Sequence, residues 1–456
     1  MANGLENLGL LLFNLAMVRV YGFQTHGRFV FYLSVIALFR LVLDAGIGAK
    51  MTKQFGNRKR PLPAVLRSGL GWMGLLNLPF VVLIAVKPGW IVGNDPGAFG
   101  YFALWLFAML VENIAISTFN GLQAMHLSFL SCLLYEGTKL TLVTYLWFAR
   151  PAFEHFIKVA NTGIFLASLS VILLMAFALG RFPADPKKDI PAHRPFILSA
   201  LLLWVPTAST AIFPQIMSIL IKCGLSDRHV SYYNAMASWS MIGAVILAPT
   251  ANALFAWTAR HDSGSASGNS SGHIALLGEY YRWTGIIAMG SSLALLAASG
   301  PILNLYGKEI LPFINVYAIL VMAQLADYPR FFTVPFLSGG RSAKASMFIE
   351  LIRFFLTVGA CACAILTGYG LMGVAMAIFI VQSLSGVLRL LHVRRSFPLP
   401  LFPLFIRNLV AATLSLIVFY HDFPDAVEYA IQTVIFLVFS GIRPADFKTV
   451  YKLATA

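Results

Sequence analysis

The sequence predicts an all-α polytopic membrane protein, and three observations carry that prediction. Of its 456 residues, 59% are hydrophobic and 11% charged, with a mean hydropathy of +0.78; a water-facing domain carries roughly 25% charged residues. Apolar segments of about 20 residues, the length that crosses a bilayer as a helix, fill nearly the whole chain. The charges gather in the connections between them. A β-barrel would instead show roughly ten-residue strands of alternating polarity, and the sequence has no such pattern.

Proline, glycine and charge punctuate the chain into spans at 5–22, 28–50, 62–86, 98–122, 128–149 and 157–180. Six more follow at 197–221, 230–256, 282–303, 310–332, 345–367 and 371–391, and two shorter ones at 403–420 and 426–441, about fourteen in all. The opening "MANGLENLGLL" has no basic n-region and reads as the first helix, not as a signal peptide. Basic connections ("KQFGNRKR", "RFPADPKKDIPAHRP", "SGGRSAK", "LLHVRRSFPLP") alternate strictly with neutral or acidic ones ("PGWIVGNDPG", "NLYGKE", "TGYG", "HDFPD"). With the basic set in the cytoplasm, both termini lie inside and the helix count is even. The net charge of +15, from 33 Lys+Arg and 18 Asp+Glu, is thereby explained without nucleic acid as a partner.

The "RFPADPKKDIPAHRP" connection separates six spans from six. This layout predicts an N-terminal lobe (1–180), a cytoplasmic linker (181–196), a C-terminal lobe (197–395) and a two-helix appendix with a tail (396–456). Parallel repeats of this kind place a transporter's substrate site between halves. The outward loops are too short to hold a catalytic domain, so chemistry is confined to the helix bundle.

Ionisable residues inside spans are functional candidates. Four pairs share a helix face, where residues three or four apart are neighbours: Arg40 with Asp44, Glu136 with Lys139, Asp327 with Arg330, and Glu350 with Arg353. Each could merely neutralise itself; together they predict a shared polar cavity. Arg19, Arg67 and Lys222 lie near span ends, where long cationic side chains snorkel to the interface. Glu112, in "AMLVENIAISTFNG", is a mid-membrane carboxylate suited to protonation or cation coupling. Pro206 and Pro214 in span 197–221, and Pro312 and Pro329 in span 310–332, free backbone carbonyls and permit bending.

Cys132, Cys223, Cys361 and Cys363 fit neither a zinc site nor a disulfide framework, and the nine histidines fall singly near segment ends. Phosphate-binding Gly loops, nucleophile elbows and HExxH motifs are absent from the sequence. Neither a metal nor an organic cofactor is implied, and the chain does not read as an enzyme.

Several stretches resemble the O-antigen and oligosaccharide-lipid flippases of the multidrug/oligosaccharidyl-lipid/polysaccharide exporter superfamily. They are "VRVYGFQTHGRFVFYLSV" with "LDAGIGAKMTKQFG", "YYNAMASWSMIGAVILAPTANALFAWTAR", "LYGKEILPFINVYAILVMAQL" and "SGGRSAKASMFIELIRFFLTVGACACAILTGYGLMGVAMA". Together they cover most of residues 10–395, although the family's "DFG" or "DLG" is "DAG" here. The resemblance implies a V-shaped two-lobe bundle with a cationic cavity. Arg19 matches the family's basic first-helix end, and Asp44 its second-helix aspartate.

A polyprenyl diphosphate carrying a glycan needs cations for its phosphates and a wet path for its sugars. Arg19, Arg40, Lys139 and Arg353 are the expected cationic lining; Asp44, Glu112 and Glu350 are expected to orient them or carry a coupling proton or sodium ion. The expected setting is the cytoplasmic (inner) membrane, with membrane lipids and polysaccharide-assembly machinery as partners. A cation-coupled multidrug antiporter of the same superfamily is the alternative, and a membrane glycosyltransferase or polymerase a more distant one.

Overall fold

The first two predicted spans form a helical hairpin. In the computed structural model, helix α1 (Ala2–Asp44) is 43 residues long but breaks at Gly22. The φ of 78° and ψ of 170° there belong to a region that essentially only glycine occupies. A straight helix would separate residues 13 and 29 by about 24 Å; instead the Phe13 and Phe29 rings are 5.7 Å apart, so the two arms lie side by side.

The structure describes residues 2–44, 96–121, 124–181, 212–247, 251, 254, 270–339, 343–396, 401–421 and 425–440. The predicted span 62–86, the "NRKR" cluster, Arg67, nearly all of the 181–196 linker and Pro206 lie outside them. All regular structure among the described residues is helical. After α1 come α2 (Pro96–Gly121), α3 (Met125–Ala149), α4 (Phe153–Arg181), α5 (Ile212–Gly224) and α6 (Asp227–Ser240). Then follow α7 (Ser270–Ala297), short α8 (Ser299–Asn304), a 3-10 turn (Lys308–Phe313), α9 (Ile314–Asp327) and α10 (Pro329–Gly339). The remainder is α11 (Ala343–Leu366), α12 (Gly370–Ser396), α13 (Leu401–Tyr420) and α14 (Asp425–Phe439).

Among the described residues, five stretches are long and apolar enough to cross a membrane: Phe153–Phe177, Lys308–Leu337, Ala345–Leu366, Gly370–Arg394 and Phe402–Tyr420. Each falls within a few residues of a predicted span. Helix α4 shows why hydropathy alone locates them. Its packed face (Phe156, Ala160, Ile164, Val171) is apolar, and so is the opposite, exposed face (Leu166, Leu169, Leu173, Phe177). A helix apolar all round belongs in hydrocarbon. The protein is a multi-pass membrane protein.

The chain divides into two compact units, Met1–Asn234 and Ala235–Ala456. In the first, the α1 hairpin packs on α2, α3 and α4 around Met17, Phe29, Phe119, Leu146 and Phe156. In the second, α9 is the central helix: its residues from Val316 to Ala323 are all buried, against α12 and α13. Close approach there depends on Gly386. A Cβ at this position would lie 2.9 Å from the Phe405 ring on α13 and 3.2 Å from the Ala326 carbonyl on α9. Gly386→Leu should therefore cost about 1–3 kcal/mol through overpacking, read as a lowered unfolding temperature in detergent.

Candidate functional site

The densest group of intramembrane charges lies in the second unit, and a proline break helps to assemble it. Helix α9 ends at Asp327 and α10 begins at Pro329, which has no N–H to continue the helical ladder. Tyr328 and Phe331 instead make i→i−3 bonds, Tyr328 N–H to Leu325 and Phe331 N–H to Tyr328. Across this step Arg330 Nη1 stands 3.5 Å from Asp327 Oδ2, while its Nε reaches Glu350 Oε1 on α11 at 3.2 Å. One turn beyond Glu350, Arg353 places Nε and Nη2 each 3.0 Å from Oε2. Thr357 caps the stretch by bonding back to the Arg353 carbonyl at 2.7 Å.

The fourth element is α12. Arg389 follows Gly386 by three residues, so the close packing at Gly386 sets Arg389 on the same buried face. Its Nη2 lies 2.9 Å from Glu350 Oε1. That distance makes an ion pair, and the remaining guanidinium nitrogens have no protein hydrogen-bond partner. Glu350, at 0% exposure, thus faces three guanidiniums, and Arg389 is 1% exposed. Arg389 also lies in the electrostatic field of Asp327, Arg330 and Arg353. Among the described residues, three arginines against Glu350 and Asp327 leave one positive charge in excess. Such burial is tolerable only while the charges remain mutually paired.

An aromatic block adjoins this cluster. The Tyr328 hydroxyl donates to that of Tyr281 at 2.7 Å, and Phe332 packs edge-on against Tyr281. On α7, Arg282 pairs with Glu279 at 2.7 Å, and Arg407 on α13 interacts electrostatically with both Tyr328 and Arg282.

The first unit holds a smaller charged site. Lys139 Nζ is 2.6 Å from Glu136 Oε1, and Glu136 is fully buried. Gly9 on α1 abuts the other carboxylate oxygen, leaving no room there for a side chain. One residue away, the Tyr135 hydroxyl bonds with the Ala108 carbonyl at 3.1 Å and with Ser168 Oγ at 3.0 Å. Glu112, half-buried on α2, interacts electrostatically with Tyr135.

The residues singled out in the sequence therefore fall into distinct places. Glu350 and Arg353 meet directly, and so do Glu136 and Lys139 and, at 3.5 Å, Asp327 and Arg330. Arg19 is exposed on the first arm of α1, and Arg40 is half-buried on the second. Asp44 closes α1, and its side chain lies outside what the structure describes. Lys222 is paired with Asp227. Sequence reasoning missed Arg389, although an arginine inside the predicted span 371–391 is itself the signal for such a site. It also missed Arg282 and Arg407, near the ends of theirs.

The class this defines is a polytopic all-α membrane bundle with paired charges buried among its spans. No family model matches the chain, and no curated protein matches it. Among solved structures it is similar to the lipid II flippase MurJ in an inward closed conformation, at 16% identity over 98% of each chain with a TM-score of 0.67. It is also similar to an inward-facing multidrug resistance MATE family transporter of the MOP superfamily, at 17% identity over 87% of this chain and 93% of that one, TM-score 0.62. A third is a MOP superfamily transporter from Pyrococcus furiosus, described by the reverse polarity of its binding pocket, at 15% identity over 87% and 92%, TM-score 0.59. The chain has the fold of MOP superfamily transporters.

Proposed function

We propose that the protein is a flippase that moves a polyprenyl-diphosphate-linked oligosaccharide from the cytoplasmic to the outer leaflet of the inner membrane by alternating access. The observation that carries this reading is the cation excess buried in the second unit, where Arg330, Arg353 and Arg389 share two carboxylates. A diphosphate carries about two negative charges, and an intramembrane positive field lowers the cost of bringing them into hydrocarbon. A site built for cationic drugs would need the opposite sign. The fold shared over the whole chain with a lipid II flippase supports the same assignment.

In this reading Arg19, Arg40, Lys139 and Arg353 attract the diphosphate. Asp44, Glu112 and Glu350 orient them or carry a coupling proton or sodium ion, and both termini face the cytoplasm. The antiporter reading is favoured by one observation, two carboxylates within the spans of the first unit, fully buried Glu136 and half-buried Glu112.

The test is complementation of flippase-deficient strains across several glycans. The chain should clear the lipid-linked intermediate that accumulates on the cytoplasmic face, and Arg40→Ala and Arg353→Ala should each slow that clearance. Full clearance by both variants would remove the lining assignment. Failure with every glycan, together with raised resistance to cationic drugs, would favour the antiporter.

A further inference from the structure

Both arms of the α1 hairpin, Asn14 on the first and His26 just past Gly22 on the second, are fastened to the first turns of α6 by a buried polar clasp, all within the first unit. His26 is fully buried, with Nδ1 2.7 Å from Ser231 Oγ and Nε2 3.3 Å from Asn14 Oδ1. The Asn14 amide in turn donates to Asn234 Oδ1 at 3.0 Å. Phe23 packs on Tyr232 with ring centroids 4.6 Å apart. Beside them the Gly27 backbone presses so closely on the Asp227 carbonyl that a Cβ would overlap it.

Two features make this clasp reversible. Apart from the Phe23–Tyr232 ring pair, its contacts are short polar side chains and a bare glycine backbone, so separation mostly exposes groups that water can satisfy. The titratable group in its hydrogen bonds is His26, held by neutral partners; Asp227 and Tyr232 adjoin through a backbone carbonyl and an aromatic ring. Charges in the same segments are Arg19 and Arg28 on α1, the Lys222–Asp227 pair, Arg228 and His229. None of them stabilises an imidazolium: burial alone pushes the His26 pKa down, to about 3.

We propose that this clasp is a gate closing one end of the transport path and that protonation of His26 releases it. The proposal rests on the alternating-access reading above. In the charge-derived topology the break at Gly22 and the step from α5 to α6 lie on the outward side, so protons arriving from outside open the outward gate. The sign follows from linkage. A histidine whose pKa is depressed in the closed state stabilises closure while neutral, above its ordinary value of about 6.5. That advantage is lost progressively as pH falls below it.

The test uses the full chain in nanodiscs, with the four native cysteines replaced and spin labels at Gln24→Cys and Arg228→Cys, both on exposed sites. Between about pH 8 and about pH 5 the ratio of long to short label distances should rise about thirtyfold, the protonation factor of a released histidine. His26→Asn keeps a polar side chain for Ser231 without titrating, and should abolish the pH response. Gly27→Val should populate the long distance even at the higher pH. Unchanged distances in the parent protein, or a full pH response in His26→Asn, would overturn the proposal. Should Gly27→Val fail to fold, those two measurements still decide. The readout needs no substrate, so a chain that fails complementation yet opens with acid keeps the gate and loses only the flippase assignment.

Discussion

Glu350→Gln is expected to destabilise the second unit by roughly 3–5 kcal/mol, the cost of removing one partner from a buried ionic network. Glutamine preserves the volume but abolishes the charge that faces Arg330, Arg353 and Arg389. Among the described residues Asp327 would then be the carboxylate left facing the three guanidiniums, and both Glu350 and Arg389 are buried in the folded state. The unfolding temperature in detergent measures the effect. A drop of less than roughly 4 °C, corresponding to about 1 kcal/mol in a unit of this size, would show that Glu350 is not the counter-charge. Adding Arg389→Met to Glu350→Gln removes one of the stranded cations and should recover part of the loss, as residues in one network couple non-additively.

Arg389→Met should have the opposite signature, an intact fold and a failing transporter. Among the described residues, removing Arg389 leaves two arginines against two carboxylates, so the network becomes neutral, and a flexible apolar side chain fills a site where two of the three guanidinium nitrogens have no hydrogen bond to lose. Stability should change by about 1 kcal/mol or less. Transport of a diphosphate would lose the attraction of one unit charge. At roughly 8 Å and an effective dielectric of about 20 this is worth about 2 kcal/mol per phosphate charge, a factor of roughly thirty in rate or affinity for each such charge. Flux of a fluorescent lipid-linked oligosaccharide in proteoliposomes gives the measurement. Parent-like flux in a well-folded Arg389→Met protein would detach the cation excess from function and withdraw the main support for the flippase reading.

These two variants also mark where sequence reading stopped. The spans were legible because hydrocarbon demands about 20 apolar residues whatever the neighbours do. Helix α4, apolar on both faces, is found by hydropathy alone. The i,i+3 partners Glu350 and Arg353 were legible because helical geometry makes them neighbours. What spacing cannot state is that α12 brings Arg389 to the same carboxylate. That depends on Gly386 letting two helices touch, a tertiary fact carried by one missing side chain. His26 was hidden differently. A lone histidine at a segment end has the look of an interfacial residue, and only the packing of distant Asn14, Ser231 and Asn234 around it shows a buried network. Arg353 illustrates the remaining gap: its position predicted a cation in the membrane, whereas its 4% exposure shows how fully the Glu350 network now holds it.

Gly22 carries a consequence for how the chain is made. With the turn compressed to one residue of glycine-only geometry, the two arms of α1 have no loop that could be threaded across the bilayer after the first arm has settled. The expected route is entry of both arms together, as a helical hairpin that shields its own inner faces. A bulkier residue at position 22 would therefore show its first defect during biogenesis, as chains degraded at the translocon, before any fault in the finished transporter could be measured.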